Sequence, residues 1–283
     1  MHTSPLLTAP VKPLILKTAL PSMLSMIASS LCTLLDALLL ARLGAQHTAA
    51  ASVSFPLLTA IQTLGFTLGM GAGSFVSRCL GTQKDGDAYI AASTAFFLSL
   101  LLSCLLCGAG FFFAPSLCAL LGASGDLLAP SAAYARYVLS SGPLLCLNLV
   151  LSSLLRALGK TLPNMTAFLC GSAVGLPLQL ALIPRLGVHG AGIAMLAREA
   201  VTLFVLAAAI LRSKTLVRPR LHCVSLRLSV FRDIMRSGVP PLLRQGLMSV
   251  SSAMLTRTAA TFGESALAGI GLSVRALSLL SAT

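Results

Sequence analysis

Residues 14–40 read LILKTALPSMLSMIASSLCTLLDALLL, a long apolar run with a single acid, Asp36, near its far end. In a bilayer only a helix satisfies its own backbone groups, so a run of this length and character is a membrane-spanning helix. An ionised carboxylate near the middle of such a helix costs about 2.5–3.5 kcal/mol on insertion scales, and acids are kept there only where they face a bundle interior or a wet cavity. Asp36 is therefore expected to face inward. Ser22, Ser25, Ser29, Cys32 and Asp36 follow one another at steps of three and four residues, the spacing of one helix face. Leu24, Ile27, Leu31, Leu34, Leu35 and Leu38 fill the other directions. The small-residue stripe has two readings, a cavity lining and ordinary close helix packing. Asp36 also has two, a buried coupling group and an acid near the interface that meets bulk water.

The composition extends this reading to the whole chain. Of 283 residues 56% are hydrophobic and 10% charged, with a mean hydropathy of +0.93. A water-soluble domain of that composition would expose large apolar patches, so the chain is an all-α polytopic membrane protein. The formal charge of +13 does not imply nucleic acid, because the basic residues are distributed by topology. With the N-terminus in the cytoplasm, Lys12, Lys17, Arg78, Lys84, Arg156, Lys160 and the basic stretch at 213–236 fall on one side, and Arg42 and Arg185 on the other. That is the positive-inside pattern of a multi-pass protein of the plasma or inner membrane. The start of the chain has the basic-then-apolar order of a signal peptide, but the later spans favour a signal-anchor helix. The cysteines lie mostly inside apolar runs, and Cys104 with Cys107 lacks a second pair or a nearby His, so neither a zinc site nor a disulfide framework is expected. Cys79 and Cys223 are expected to label from the cytoplasmic side and Cys118 from outside.

Turn residues and charge divide the chain into apolar segments at 14–41, 48–77, 88–114, 131–157, 163–184, 189–211, 237–260 and 266–283. The connectors at 42–46, 115–129 and 184–189 are expected outside, and those at 78–87, 156–163 and 213–236 inside. The last is basic enough to attract anionic lipid at roughly 1 kcal/mol per basic group. A repeat emerges about it: Lys17, Leu20, Pro21 and Leu24 match Arg236, Val239, Pro240 and Leu243, residue numbers differing by 219 throughout, and Gly44 and Ala49 match Gly263 and Ala268. Six crossings return the chain to the starting side, so the second unit runs parallel to the first about an axis along the membrane normal. The expected organisation is a six-helix lobe at 1–212, a cytoplasmic connector at 213–236, and the start of a second lobe at 237–283, truncated from a protein of twelve helices.

The most specific stretch, GMGAGSFVSRCLG at 69–81, resembles the segment at the end of the second helix of the MATE (multidrug and toxic compound extrusion) antiporters. LLRALG at 154–159 followed by Pro163, GVHGAGIA at 187–194 and GVP at 238–240 look like further landmarks of that family, so the likeness runs along essentially the whole chain. A phosphate-cradling reading of the glycines at 69–73 fails, since they close an apolar helix and follow no strand. The resemblance implies a secondary antiporter that exports amphipathic, often cationic organic compounds by alternating access, driven by inward flow of protons or sodium. It implies that Asp36 takes part in ion coupling. Where many relatives carry an Asn and an Asp in the fifth helix this chain has Gly175 and Gln179, and where a Thr is frequent in the sixth it has Met195. A sodium cage is then short of oxygen ligands. A lone carboxylate still carries a proton, so the proton is the expected coupling ion and no cofactor or metal is expected.

Further polar residues fall within the apolar segments. Ser29, Gln62, Asn148, Gln179, Arg198 and Glu199 are candidates for the cavity lining. Asn148 continues to Ser152 and Arg156 at four-residue steps, which fits the same cavity or helix-to-helix bonding. Arg198 and Glu199 lie about 13 Å along their helix from Gly190, near mid-membrane, and as sequence neighbours they point about 100° apart, each open to a separate partner or to the other. Gly171, Gly175 and Pro177 read as packing and hinge. The expected partners are a small organic molecule and the lipid bilayer, not nucleic acid; the oligomeric state is open. Two alternatives remain. One is a lipid-linked oligosaccharide flippase of related architecture, for which Arg198 and Arg244 would supply a basic cavity. The other is a non-transporting membrane scaffold or sensor. An enzyme is not expected, since four scattered His residues form no nucleophile–base arrangement and no cofactor box is present.

Overall fold

A computed structural model describes residues 11–83, 85–212 and 228–281, and among them every regular element is helical. In chain order these are α1 (Val11–Leu43), α2 (Ala45–Val53), α3 (Phe55–Gly81), α4 (Asp85–Phe112), α5 (Ala114–Leu120), a 3₁₀ turn (Gly125–Leu127), α6 (Leu128–Ala157), α7 (Thr161–Leu186), α8 (Val188–Arg212), α9 (Leu228–Ala260) and α10 (Glu264–Ser281). Among the described residues six spans are long and apolar enough to cross a membrane: Ala19–Leu43, Ala45–Gly81, Gly86–Phe112, Gly125–Ala157, Thr161–Leu186 and Val188–Arg212. They coincide with the six segments expected for the first lobe. The seventh expected segment, 237–260 in α9, falls outside this set, because Pro240, Pro241, Arg244, Gln245 and several serines lower its hydropathy. Most of the connector at 213–236 lies outside the described residues. Its last part, from Leu228, is already the first turns of α9.

Three local expectations are corrected. The second span begins at Ala45 and is broken at Ser54, because Pro56 sits in the first turn of α3 and starts a new helix there. The connector at 115–129 is mostly ordered as α5 and the 3₁₀ turn. Pro184 does not end its helix: α7 runs on to Leu186 and stops at Gly187, whose φ of 57° suits a residue without a side chain.

α6 is the hub of the lobe. Buried residues make up 78% of its apolar window against 28% for α1, and it packs on α3, α4 and α8. The approach of α3 to α6 depends on the glycines of the second span. A Cβ on Gly69 would lie 2.9 Å from the Leu149 carbonyl oxygen, and one on Gly73 would lie 3.1 Å from that of Ser153. Backbone thus meets backbone along this contact, as small residues permit in lipid. At the far end of α3, Ser77 donates to the Gly73 carbonyl (2.9 Å) and Arg78 reaches across to Ser237 Oγ of α9 (2.6 Å).

α9 lies along α3, and α10 lies on α2 and α1. Gly44 and Gly263, matched by the repeat, both break their helices with positive φ, 130° and 96°. Ser52 and Gly271 are also a matched pair, and they touch each other. Two equivalent positions in mutual contact mark where an approximate two-fold axis passes.

Candidate functional site

The polar face of α1 is turned inward. Ser25, Cys32 and Asp36 are 5%, 0% and 7% exposed, whereas Leu24, Leu31 and Leu38 are 44%, 44% and 42% exposed. The carboxylate therefore sits neither in open solvent nor on the outer surface of the bundle. α1 packs on α7, and α7 packs most extensively on α8. That second contact is made possible by two glycines. At Gly171 a side chain would meet Thr202 Oγ1 and the Arg198 carbonyl, and at Gly175 it would come 3.2–3.3 Å from Cβ, Cγ and Cδ of Arg198. The arginine stem lies over the bare backbone of Gly175.

From there the guanidinium gathers the acids. Arg198 Nη2 donates to Glu199 Oε1 at 3.0 Å. Glu199 Oε2 accepts from Asn148 Nδ2 of α6 at 2.8 Å, and the same amide donates to the Glu199 carbonyl at 3.1 Å. Asp36 and Cys32 of α1 lie within Coulombic reach of the same guanidinium. Of the two readings left open for Arg198 and Glu199, separate partners or each other, the structure pairs them with each other. The long arginine side chain folds back across the helix surface, and Glu199 divides its two oxygens between Arg198 and Asn148. In a medium of low dielectric, each member would be costly alone; removing one partner of a buried ion pair typically costs about 3–5 kcal/mol.

The remaining candidates are placed as follows. Gln179, one helical turn beyond Gly175, is fully buried, and neither amide atom finds a hydrogen-bond partner among the described residues. Met195 is a buried apolar side chain of α8. Ser29 and Gln62 are half-buried and not hydrogen-bonded to the cluster. Ser152 is buried in α6, while Arg156 is at the exposed end of that helix and bonds Ser153 Oγ at 3.1 Å. A cavity of about 280 Å³ opens at that end between α3 and α6, lined by Met70, Gly73, Ser74, Ser77, Ser153, Arg156 and Ala157, with none of the Asp36 cluster in its wall. Among the described residues no group of three or more His, Cys, Asp or Glu side chains is placed to hold a metal ion.

One packing seam between α3 and α9 was not anticipated from the sequence. Thr59, Thr63 and Thr67 are buried on the face of α3 that meets α9: Thr59 Oγ1 is 3.2 Å from Ser249 Oγ, and Gly238 abuts the Thr67 carbonyl. The four-residue threonine spacing was the available signal. Cys118 also departs from expectation. It is fully buried in α5, and burial pushes its thiol up to about 11, so it does not present a reactive thiolate outside.

Comparison with known proteins now bears on this geometry. The MatE family model matches residues 21–180, more than half of the chain. The chain belongs to the MatE family. It is 27% identical to the multidrug export protein MepA of Staphylococcus haemolyticus over 263 residues, covering 91% of this chain and 58% of that protein. It is 24% identical to MepA of Staphylococcus aureus over 271 residues, covering 94% of this chain and 60% of that protein. The chain thus spans about three fifths of the length of the curated relatives it matches. Among solved structures it resembles an inward-facing multidrug resistance MATE transporter of the MOP superfamily (28% identity, TM-score 0.81, 89% of this chain and 60% of that one). It also resembles an outward-facing one (26%, TM-score 0.82, 100% of this chain and 67% of that one). As a member of the MatE family, with helices that match MATE transporters, it is a multi-span membrane protein of a transporter family, in line with the resemblance at 69–81 and 187–194.

Proposed function

We propose that this chain forms the ion-coupling lobe of a plasma-membrane antiporter that exports amphipathic, often cationic organic compounds against an inward flow of protons. The observation that carries the reading is Asp36, a carboxylate enclosed by helices of the lobe and within Coulombic reach of Arg198, which pairs with Glu199. Gaining or losing a proton there changes the charge held between α1, α7 and α8, and so biases two arrangements of the helices against each other. Membership of the MatE family and likeness to the MepA multidrug exporters support the substrate class. The N-terminus is cytoplasmic in this reading, as the distribution of Lys and Arg requires.

The test is efflux of a fluorescent organic cation from vesicles that contain the protein under an imposed pH gradient. Efflux is expected to collapse in Asp36→Asn, and undiminished efflux by a correctly inserted variant overturns the mechanism. Of the two basic residues behind the flippase alternative, Arg198 is engaged by Glu199, while Arg244 of α9 is exposed.

A further inference from the structure

We propose that the cavity between the ends of α3 and α6 is a site for one oxyanion, a carboxylate, phosphate or sulfonate borne by a small soluble amphiphile or by a lipid headgroup, with Arg156 as its cationic anchor. Met70, Ser74 and Ser77 line the cavity from one face of α3. Leu68, Ala72 and Val76 lie on the opposite face of that helix, packed with alanines of α4 and with Val150 and Leu154 of α6. α4 therefore closes the seam between α3 and α6 on one side, and the cavity opens on the other.

The donors in its wall select the charge. The wall holds one arginine, three serines and no acid. Unlike Arg198, Arg156 has no carboxylate within ion-pair reach among the described residues. One of its N–H groups donates to Ser153 Oγ at 3.1 Å, which leaves most of the guanidinium fork open. Ser153 is 5% exposed, and because its oxygen accepts from Arg156, its own proton has no acceptor among the described residues. Ser74 contributes its carbonyl to Arg78 Nε at 3.3 Å, and its hydroxyl is free among the described residues. Ser77, by contrast, donates to the Gly73 carbonyl. An open guanidinium fork beside two free hydroxyl donors is the complement of a group with several acceptor oxygens, and a cation meets no acid there.

Size limits what enters. About 280 Å³ is just below the range of roughly 300–1,000 Å³ in which whole small molecules are enclosed, so the cavity takes a head group. Met70, 46% exposed, and Ala157 offer apolar surface to the adjoining carbon chain. Arg78 and Lys160 stand at the same helix ends and add to the positive potential. The site is separate from the Asp36 cluster and rests on the proposed function only for the side of the membrane to which it opens, the cytoplasm.

The experiment reads accessibility and charge at position 74 in bilayer discs, so it holds or fails independently of efflux. Ser74→Cys is labelled with the negative sulfonatoethyl methanethiosulfonate or its positive trimethylammonium counterpart. Each rate is read on the peptide containing residue 74 by mass spectrometry and divided by the rate of that reagent on free cysteine. The negative reagent is expected to lead by about fivefold or more. This preference should survive a second change, Arg156→Lys, and vanish with Arg156→Gln. In phosphatidylcholine discs, slowing of both reagents by sodium benzenesulfonate but not by trimethylphenylammonium chloride supports a soluble amphiphile. Slowing of both by added phosphatidylglycerol alone supports a headgroup, since surface potential by itself would speed the positive reagent. Equal rates for the two reagents, a preference unchanged by Arg156→Gln, or no slowing in either arm overturns the proposal. Where the Arg156→Gln protein does not insert, the charge preference and the protection in Ser74→Cys alone decide.

Discussion

α1 and α9 are both 33 residues long, both carry proline inside the helix, and both end one or three residues before a glycine of positive φ. Their inner faces keep register too: Ala37 and Leu40 are buried on α1, and the matched Thr256 and Ala259 are buried on α9. At the position of Asp36, however, α9 has Leu255, which is 45% exposed. Two helices of common geometry thus differ in charge where it matters. The repeat dictates how the two helices are shaped, and at this matched position α1 alone carries a buried acid. The reason is physical: a carboxylate in the bilayer needs an enclosing partner set, and for α1 it comes from α7 and α8, with their glycines and Arg198.

This contrast can be broken in order of effect. The largest difference is expected between Asp36→Asn and Leu255→Asn. Gradient-driven efflux should fall by about tenfold or more in the first and by less than about twofold in the second; equal losses would mean that the two helices share the coupling role. Next comes the axis contact. Gly271→Val places a branched side chain against Ser52, and overpacking of this kind costs about 1–3 kcal/mol, read as a lowered thermal midpoint in detergent. Exchanging the pair, Ser52→Gly with Gly271→Ser, should restore most of it. A smaller effect, of opposite sign, is expected at Gly246 in α9, where a Cβ meets nothing within 4 Å. Gly246→Ala should stabilise by up to roughly 0.5–1 kcal/mol. The smallest is a non-event: at neutral pH a maleimide should leave Cys118 unlabelled, because it is fully buried and a thiol at about 11 is almost wholly protonated. Labelling of Cys118 should rise only as pH approaches that value.

How much was legible beforehand varies by residue. Hydropathy and turn chemistry placed six spans within a few residues of where the helices lie, since the bilayer demands long apolar helices and says so in composition. Spacing alone turned Ser25, Cys32 and Asp36 inward. The constant difference of 219 paired Gly44 with Gly263, both of which break their helices, whereas the contact of Ser52 with Gly271 emerged only from the structure. By contrast, the break at Ser54, the continuation of α7 past Pro184 and the ordered helix at α5 were missed, because proline is compatible with either side of a helix boundary and its local context chooses.

The amino-acid sequence by itself determined that this is a multi-span helical membrane protein, which helices repeat, and that one acid had to be hidden. What only the tertiary structure decided is with whom it is hidden. Arg198 and Glu199, adjacent in the chain, were open to separate partners or to each other, and the bare backbone of Gly175 on a different helix, together with Asn148 on a third, accompanies their pairing within Coulombic reach of Asp36. Periodicity reports which face a residue occupies. Pairing of charges depends on which faces meet, and that is fixed by close packing between helices far apart in the chain.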